Sequence, residues 1–191
     1  MGSMHPTVQL ILAFRKTAAR LRQGARYRWS HHALCNCGNL AQVVTDLGPD
    51  AIYEAAFQKP GDWGEQARDH CPTSGLPMDR IIGQILALGL EPTDIQHLER
   101  LTHPKVLRRV PAERRPLKHT SREDTALFME TWAAMLEEGL DELRLAELRR
   151  REAEDAAEAP GGAAASEDGA ADASAPDEAA PGDLDADARV A

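Results

Sequence analysis

Apolar residues recur every three or four positions through most of this chain and no segment alternates convincingly at period two, which together predict an all-α protein. The expected architecture is a compact irregular bundle of about six to seven helices. A third observation bounds the fold. From Ala159 to Ala191 there is almost no large apolar side chain, while eight Asp or Glu face the single Arg189. That composition predicts a disordered Ala/Asp/Glu-rich tail, because it has too little to bury against the entropy of ordering.

The tail supplies most of the net charge of −9. The preceding region is therefore close to neutral, and the acidic pI of 5.2 says little about the surface of the folded domain. At 42% apolar residues, a single helical domain over 7–158 has enough material for a core. Met1-Gly-Ser-Met4 resembles a cloning remnant in front of a native Met4, so residues 1–6 are expected to be a disordered lead. No apolar run approaches the roughly 18 to 20 residues of a membrane span. Val8 to Phe14 has no basic stretch before it, and Arg15 and Lys16 follow where a signal peptide would place small residues. The expectation is a cytoplasmic protein with reduced thiols and no membrane partner, and an odd count of three cysteines agrees.

Thr7 to Gln23 reads as the first helix, with Ile11, Phe14, Ala18 and Leu21 on one face, Pro6 at its start and Gly24 at its end. Arg15, Lys16, Arg20 and Arg22 form a solvated opposite face. Asn39 is placed to cap a helix from Leu40 to Leu47, closed by Gly48-Pro49, and Asp50 to cap another from Ala51 to Gln58. Lys59 to Gly64 is a loop by its breakers, Glu65 to His70 one or two turns, and Cys71 to Pro77 irregular. Pro77 to Leu88 carries Ile81, Ile82, Ile85, Leu86 and Leu88, with Gly89 as the stop. Thr93 caps Asp94 to Leu101, and Thr102-His-Pro104 restarts a short helix through Val110. A last helix opens on the capping-box pattern Ser121-Arg-Glu-Asp124 and runs past Arg149, with Phe128, Trp132, Met135, Leu136, Leu140 and Leu143 as its apolar stripe.

The residues with the most chemistry are the cysteines. All three fall in polar stretches beside histidines, Trp29 to Gly38 and Asp69 to Pro72. Thiolate and imidazole are the ligands that hold zinc or iron tightly. His31 and Cys35 are spaced to share the side of a helical turn, Cys37 follows in a tight turn, and Gly38 is expected to adopt the positive φ that lets backbone N–H groups point at sulfur. Cys71 would complete a Cys3His tetrahedron, so His31, Cys35, Cys37 and Cys71 are the candidate ligands of one structural zinc. His32 and His70 are alternative fourth ligands. An iron–sulfur cluster or iron suits the same donors, and an open coordination position would bring redox or hydrolytic chemistry. The plainer alternatives are inert buried cysteines or thiol redox exchange.

The run Trp29-Ser-His31, Cys35-Asn-Cys-Gly-Asn-Leu-Ala-Gln42, then Cys71 and Gly89-Leu to Leu98-Glu-Arg-Leu101, resembles a family of short uncharacterised bacterial proteins with a Trp-x-His-x3-Cys-Asn-Cys-Gly signature. The likeness covers about Tyr27 to Glu138 and implies no activity. In that family the residue before the third cysteine is often aromatic, so His70 departs from the pattern and His31 is left as the favoured histidine.

Two further classes are weighed against a metal-binding protein that acts on a protein partner. Lys105, Arg108, Arg109, Arg114, Arg115, Lys118 and Arg122 are opposed only by Glu113 and could track nucleic-acid phosphates. Pro111 and Pro116 interrupt them, and no aromatic residue stands among them to stack on a base. For enzymes, there is no phosphate-binding glycine loop, no serine nucleophile elbow and no His-Glu-x-x-His. Glu65, Asp69 and Asp79 stand near the cysteine segments as the nearest candidates to orient a ligand or act as a base, and Gln42 projects from the helix after the turn.

Overall fold

The computed structural model describes residues 4–158; the expected remnant at 1–3 and disordered tail at 159–191 lie outside the described residues. Nine α-helices and one 3-10 turn, with no strand among the described residues, make the all-α bundle that the periodicity predicts. The helices are α1 Pro6–Arg22, α2 Asn36–Thr45, α3 Pro49–Phe57, α4 Trp63–Arg68, α5 Pro77–Ala87, α6 Pro92–Arg100, α7 Pro104–Leu107, α8 Arg122–Glu137 and α9 Glu142–Glu158. Ala112–Arg114 is the 3-10 turn.

Proline sets many of the starts. α1, α3, α5, α6 and α7 each carry it in the first turn, where its fixed φ suits the helix and its missing N–H costs nothing. His5 caps α1, its Nδ1 accepting from Thr7 N, and Met4 packs against the core, so order begins before residue 7. α1 lies along α8 in the most extensive helix pairing of the molecule, and α4 packs on α6. Phe14, Phe128 and Trp132 meet at the centre of the first pairing, with ring centroids 5.2 Å apart for Phe14–Trp132 and 5.6 Å for Phe128–Trp132. The expected stripe residues Ile11, Ala18, Leu21, Ile81, Ile82, Ile85, Ile95 and Leu98 are all buried.

Several boundaries differ from the periodicity reading, among them the end of α7 at Leu107 in place of the expected Val110, and three of them shape the molecule. The last helix is two, broken at Glu138–Asp141, where the Asp141 carboxylate accepts from Arg144 N and starts α9 afresh. α9 then returns to α1, with Arg15 bonding both Glu137 and Glu152. Leu143 is consequently exposed, and Leu148 is the α9 side chain that reaches the core. α4 begins at Trp63, because Asp62 and Glu65 form a reciprocal capping box. α2 begins at Asn36, three residues ahead of the expected cap, and this shift decides the fate of the cysteines.

Candidate functional site

Cys35-Asn-Cys-Gly38 is the N-terminal cap and first turn of α2. Cys35 is the cap: its Sγ accepts from Gly38 N at 3.5 Å, and its thiol donates to the His32 carbonyl at 3.4 Å. Asn36 is fully buried, yet every polar atom of its side chain is used. Its Nδ2 donates to the Leu98 and Glu99 carbonyls at 3.0 and 2.9 Å, while its Oδ1 accepts from Thr125 and lies against the Tyr27 hydroxyl. One side chain thus ties α2 to the end of α6, to α8 and to the loop after α1. The Cys37 thiol donates to the Ile95 carbonyl at 3.6 Å. Gly38 touches the His32–Ala33 peptide so closely that a Cβ would stand 2.1 Å from the His32 oxygen. Glycine is there for close approach, a role different from the positive φ expected of a metal knuckle. Asn39 and Gln42 close the turn, donating to the Leu34 and Ala33 carbonyls.

The four expected ligands are not brought together. Among the described residues, no group of three or more His, Cys, Asp or Glu side chains is arranged to hold a metal ion. Cys35 and Cys37 are inside, and Cys71 is exposed in the turn between α4 and α5, its Sγ 3.5 Å from Thr73 Oγ1. His31 lies at the surface: Nδ1 accepts from Ala33 N at 3.2 Å, and the ring stacks on Tyr53 with centroids 4.2 Å apart. His32 meets the Gly61 carbonyl through Nε2, and His70 lies against Gly83. Burial pushes the Cys35 thiol up to about 12 and the Cys37 thiol well above its ordinary range, so both stay protonated at neutral pH. The Cys71 thiol is lowered by hydrogen bonds from the Thr73 side chain and backbone.

Trp29, His32, Cys35, Asp62, Glu99 and Arg100 line a small cleft of about 120 Å³ above the turn. Glu99 is buried there and accepts from Gly64 N at 3.2 Å; burial, then the nearby Asp62 charge, raises its carboxyl. Arg100 pairs with Asp62 at 3.2 Å and lies over the Trp29 ring, 5.3 Å from its centre. Two partners here, Glu99 and Arg100, follow Leu98 in the segment Leu98-Glu-Arg-Leu101. Tertiary packing of α6 against α4 carries them to the cysteine turn.

Two of the three carboxylates near Cys71, Asp79 and Glu65, have structural partners. Asp79 is buried and accepts from Lys59 Nζ at 2.8 Å and from Ser74 Oγ at 2.5 Å, while Lys59 also donates to the Gln66 and Asp69 carbonyls. Glu65 belongs to the α4 cap. In the basic segment, Arg109 pairs with Glu138 at 2.7 Å and Arg114 with Asp124 at 3.0 Å, both on the α8 side. The His119 ring lies tilted against Trp29, 4.4 Å between centroids.

Sequence reasoning missed one surface. Beyond His31 and Tyr53 the stacking continues to Phe57, 4.6 Å from Tyr53 and edge-on, with the His32 ring 6.4 Å from Phe57. Phe57 is 69% exposed and Tyr53 37%. The only signal in the sequence was the i, i+4 spacing of two aromatics on a helix whose buried face is Ile52, Ala55 and Ala56. No protein-family model, no curated protein and no solved structure matches this chain.

Proposed function

We propose that this chain acts by binding a protein partner, and that the His31–Tyr53–Phe57 ladder is its recognition surface. The observation that carries the reading is Phe57. A chain with eight Phe, Tyr and Trp side chains among 191 residues leaves one of them 69% exposed, with ring contacts to Tyr53 and His32. Aromatic side chains standing ordered on a surface are the usual anchors of protein interfaces, since they bury large area at small conformational cost. The surroundings fit that anatomy. Arg26 and Arg28 in the loop leading to His31, and Asp50 and Glu54 on the helix that carries Tyr53 and Phe57, are all four exposed, so the apolar centre is bordered by charge of both signs. A nucleic-acid strand would meet the two carboxylates as readily as the two guanidinium groups, which favours a protein.

Beneath this surface, the cysteine turn serves as the foundation that fixes the His31–His32 loop against α4 and α6. In a reducing compartment such as the cytoplasm, its protonated, hydrogen-bonded thiols keep that role. No helix among the described residues is long and apolar enough to cross a membrane.

The test is a photo-crosslinking residue in place of the exposed Gln58, in cells making the full chain. A discrete adduct is expected, and it should vanish when Phe57→Ala is added. No adduct, or one indifferent to Phe57, would sink the reading. A zinc- or iron-bound form is a separate proposal, in which Cys71 leaves its turn to join Cys35, Cys37 and His31. Stoichiometric metal by elemental analysis, lost in Cys71→Ser, would support it.

A further inference from the structure

The geometry points to a second copy of this chain as the occupant of the aromatic ladder, in a two-fold symmetric dimer. This inference rests on reading the ladder as a recognition surface and names the partner.

The charge pattern across the ladder carries the argument. In the loop Arg26 to Trp29, alternate side chains face opposite ways. Tyr27 turns in to Asn36 and Thr125, and Trp29 turns in to His119 and the Glu99 carbonyl. Arg26 and Arg28, between and before them, are therefore exposed, and their charges are felt at His31 after the effect of its partial burial. His31 in turn covers Tyr53. At about 100° per residue, Tyr53, Phe57, Asp50 and Glu54 follow one another around α3 in that order, away from the buried face of Ile52, Ala55 and Ala56. The surface thus reads as three bands: two arginines, three rings in contact, two carboxylates. None of these four charged side chains makes an ion pair among the described residues.

A two-fold interface must be complementary to itself, because each copy offers the same patch. A patch with one sign of charge fails that condition, since rotation by 180° lays like charge on like. Here an axis lying in the interface and running along the ring band brings the arginine edge of each copy over the carboxylate edge of the other. Rings meet rings in the middle. Four unpaired charges per copy gain opposite partners at once, and the exposed face of Phe57 is covered.

The experiment is sedimentation velocity of the full chain across a roughly hundredfold concentration range at physiological salt. A monomer–dimer equilibrium is expected, weakened about tenfold or more by Phe57→Ala. Arg28→Glu and Glu54→Arg should each weaken it, and the two together should restore it, since position 28 of each copy, facing position 54 of the other across the axis, again meets the opposite charge. All three positions are exposed, and circular dichroism checks that each variant keeps its helix content. A monomer at every concentration, or a dimer indifferent to these changes, overturns the dimer. The crosslinking residue at Gln58 separates the two failures. An adduct between two copies supports the dimer. A Phe57-dependent adduct with a different protein overturns the dimer and leaves the interaction reading standing; no adduct at all removes both.

Discussion

The Asn36 side chain donates to the main-chain carbonyl of Glu99 at 2.9 Å, across 63 residues of sequence and from the first turn of α2 to the last turn of α6. It also holds Thr125 and meets Tyr27, so a buried amide sits where four segments converge. Inside a low-dielectric core such a network is favourable only when fully satisfied.

Asn36→Ala should therefore be costly. The Leu98 and Glu99 carbonyls and the Thr125 hydroxyl would lose a partner, against a penalty of about 1–3 kcal/mol for each buried group left unsatisfied. A loss of about 3 kcal/mol in urea unfolding is the expected result, given partial relaxation and water entry. A change within experimental error would show that the hub is incidental.

Gly38→Ala is expected to be as damaging for a steric reason. The new Cβ would stand 2.1 Å from the His32 oxygen and 2.4 Å from the Ala33 carbonyl carbon, backbone atoms that cannot swing aside. Overpacking of this kind costs about 3 kcal/mol or more. Far-ultraviolet circular dichroism with thermal melting reads it directly, and an unchanged midpoint would refute the packing account.

Asp79 and Lys59 predict a pH dependence. Burial works against ionisation of Asp79, yet hydrogen bonds from Lys59 and Ser74 outweigh it and hold the carboxyl below its ordinary value of 3.8. A depressed carboxylate contributes stability that is present in full above its unfolded value and is lost as pH falls through the folded one. Asp79→Asn should thus cost about 3 kcal/mol at neutral pH, because the Lys59 ammonium loses its charged partner in a half-closed site. The gap between the native chain and the variant should narrow as pH falls below that ordinary value. A gap independent of pH would rule the ion pair out as its source.

The thiols should react in two classes. Cys71 is exposed and its thiol is lowered, whereas Cys35 and Cys37 are buried, raised and engaged with carbonyl oxygens. Titration of the native protein with an aromatic disulfide reagent should modify one thiol rapidly, and mass mapping should place it at Cys71. The other two should react only after denaturation. Rapid modification of Cys35 would mean the turn opens far more readily than its packing implies.

Much of the fold was legible in the chain itself. Helical spacing of Ile11, Phe14, Ala18 and Leu21, or of Ile81, Ile82 and Ile85, determines which face is buried, because side-chain direction in a helix follows from sequence position. Proline and glycine mark most of the starts and stops for similarly local reasons. The break between α8 and α9 was less visible, since the apolar stripe runs on through Leu140 and Leu143 and only the return of α9 to α1 makes a turn at Gly139 worthwhile.

The sequence by itself determined that this protein is all-α and that Cys35-Asn-Cys-Gly38 is a special turn beside histidines. What that turn does was decided by tertiary structure. The Cys35 thiol and Gly38 meet the neighbouring His32–Ala33 segment, but what Cys37 and Asn36 meet depends on groups tens of residues away: Ile95, Glu99 and Thr125 here. The ladder of His31, Tyr53 and Phe57 likewise exists only because α3 packs beside the loop that α2 anchors. Local pattern encodes which way a side chain points along its own element, and only packing between elements decides what it meets there.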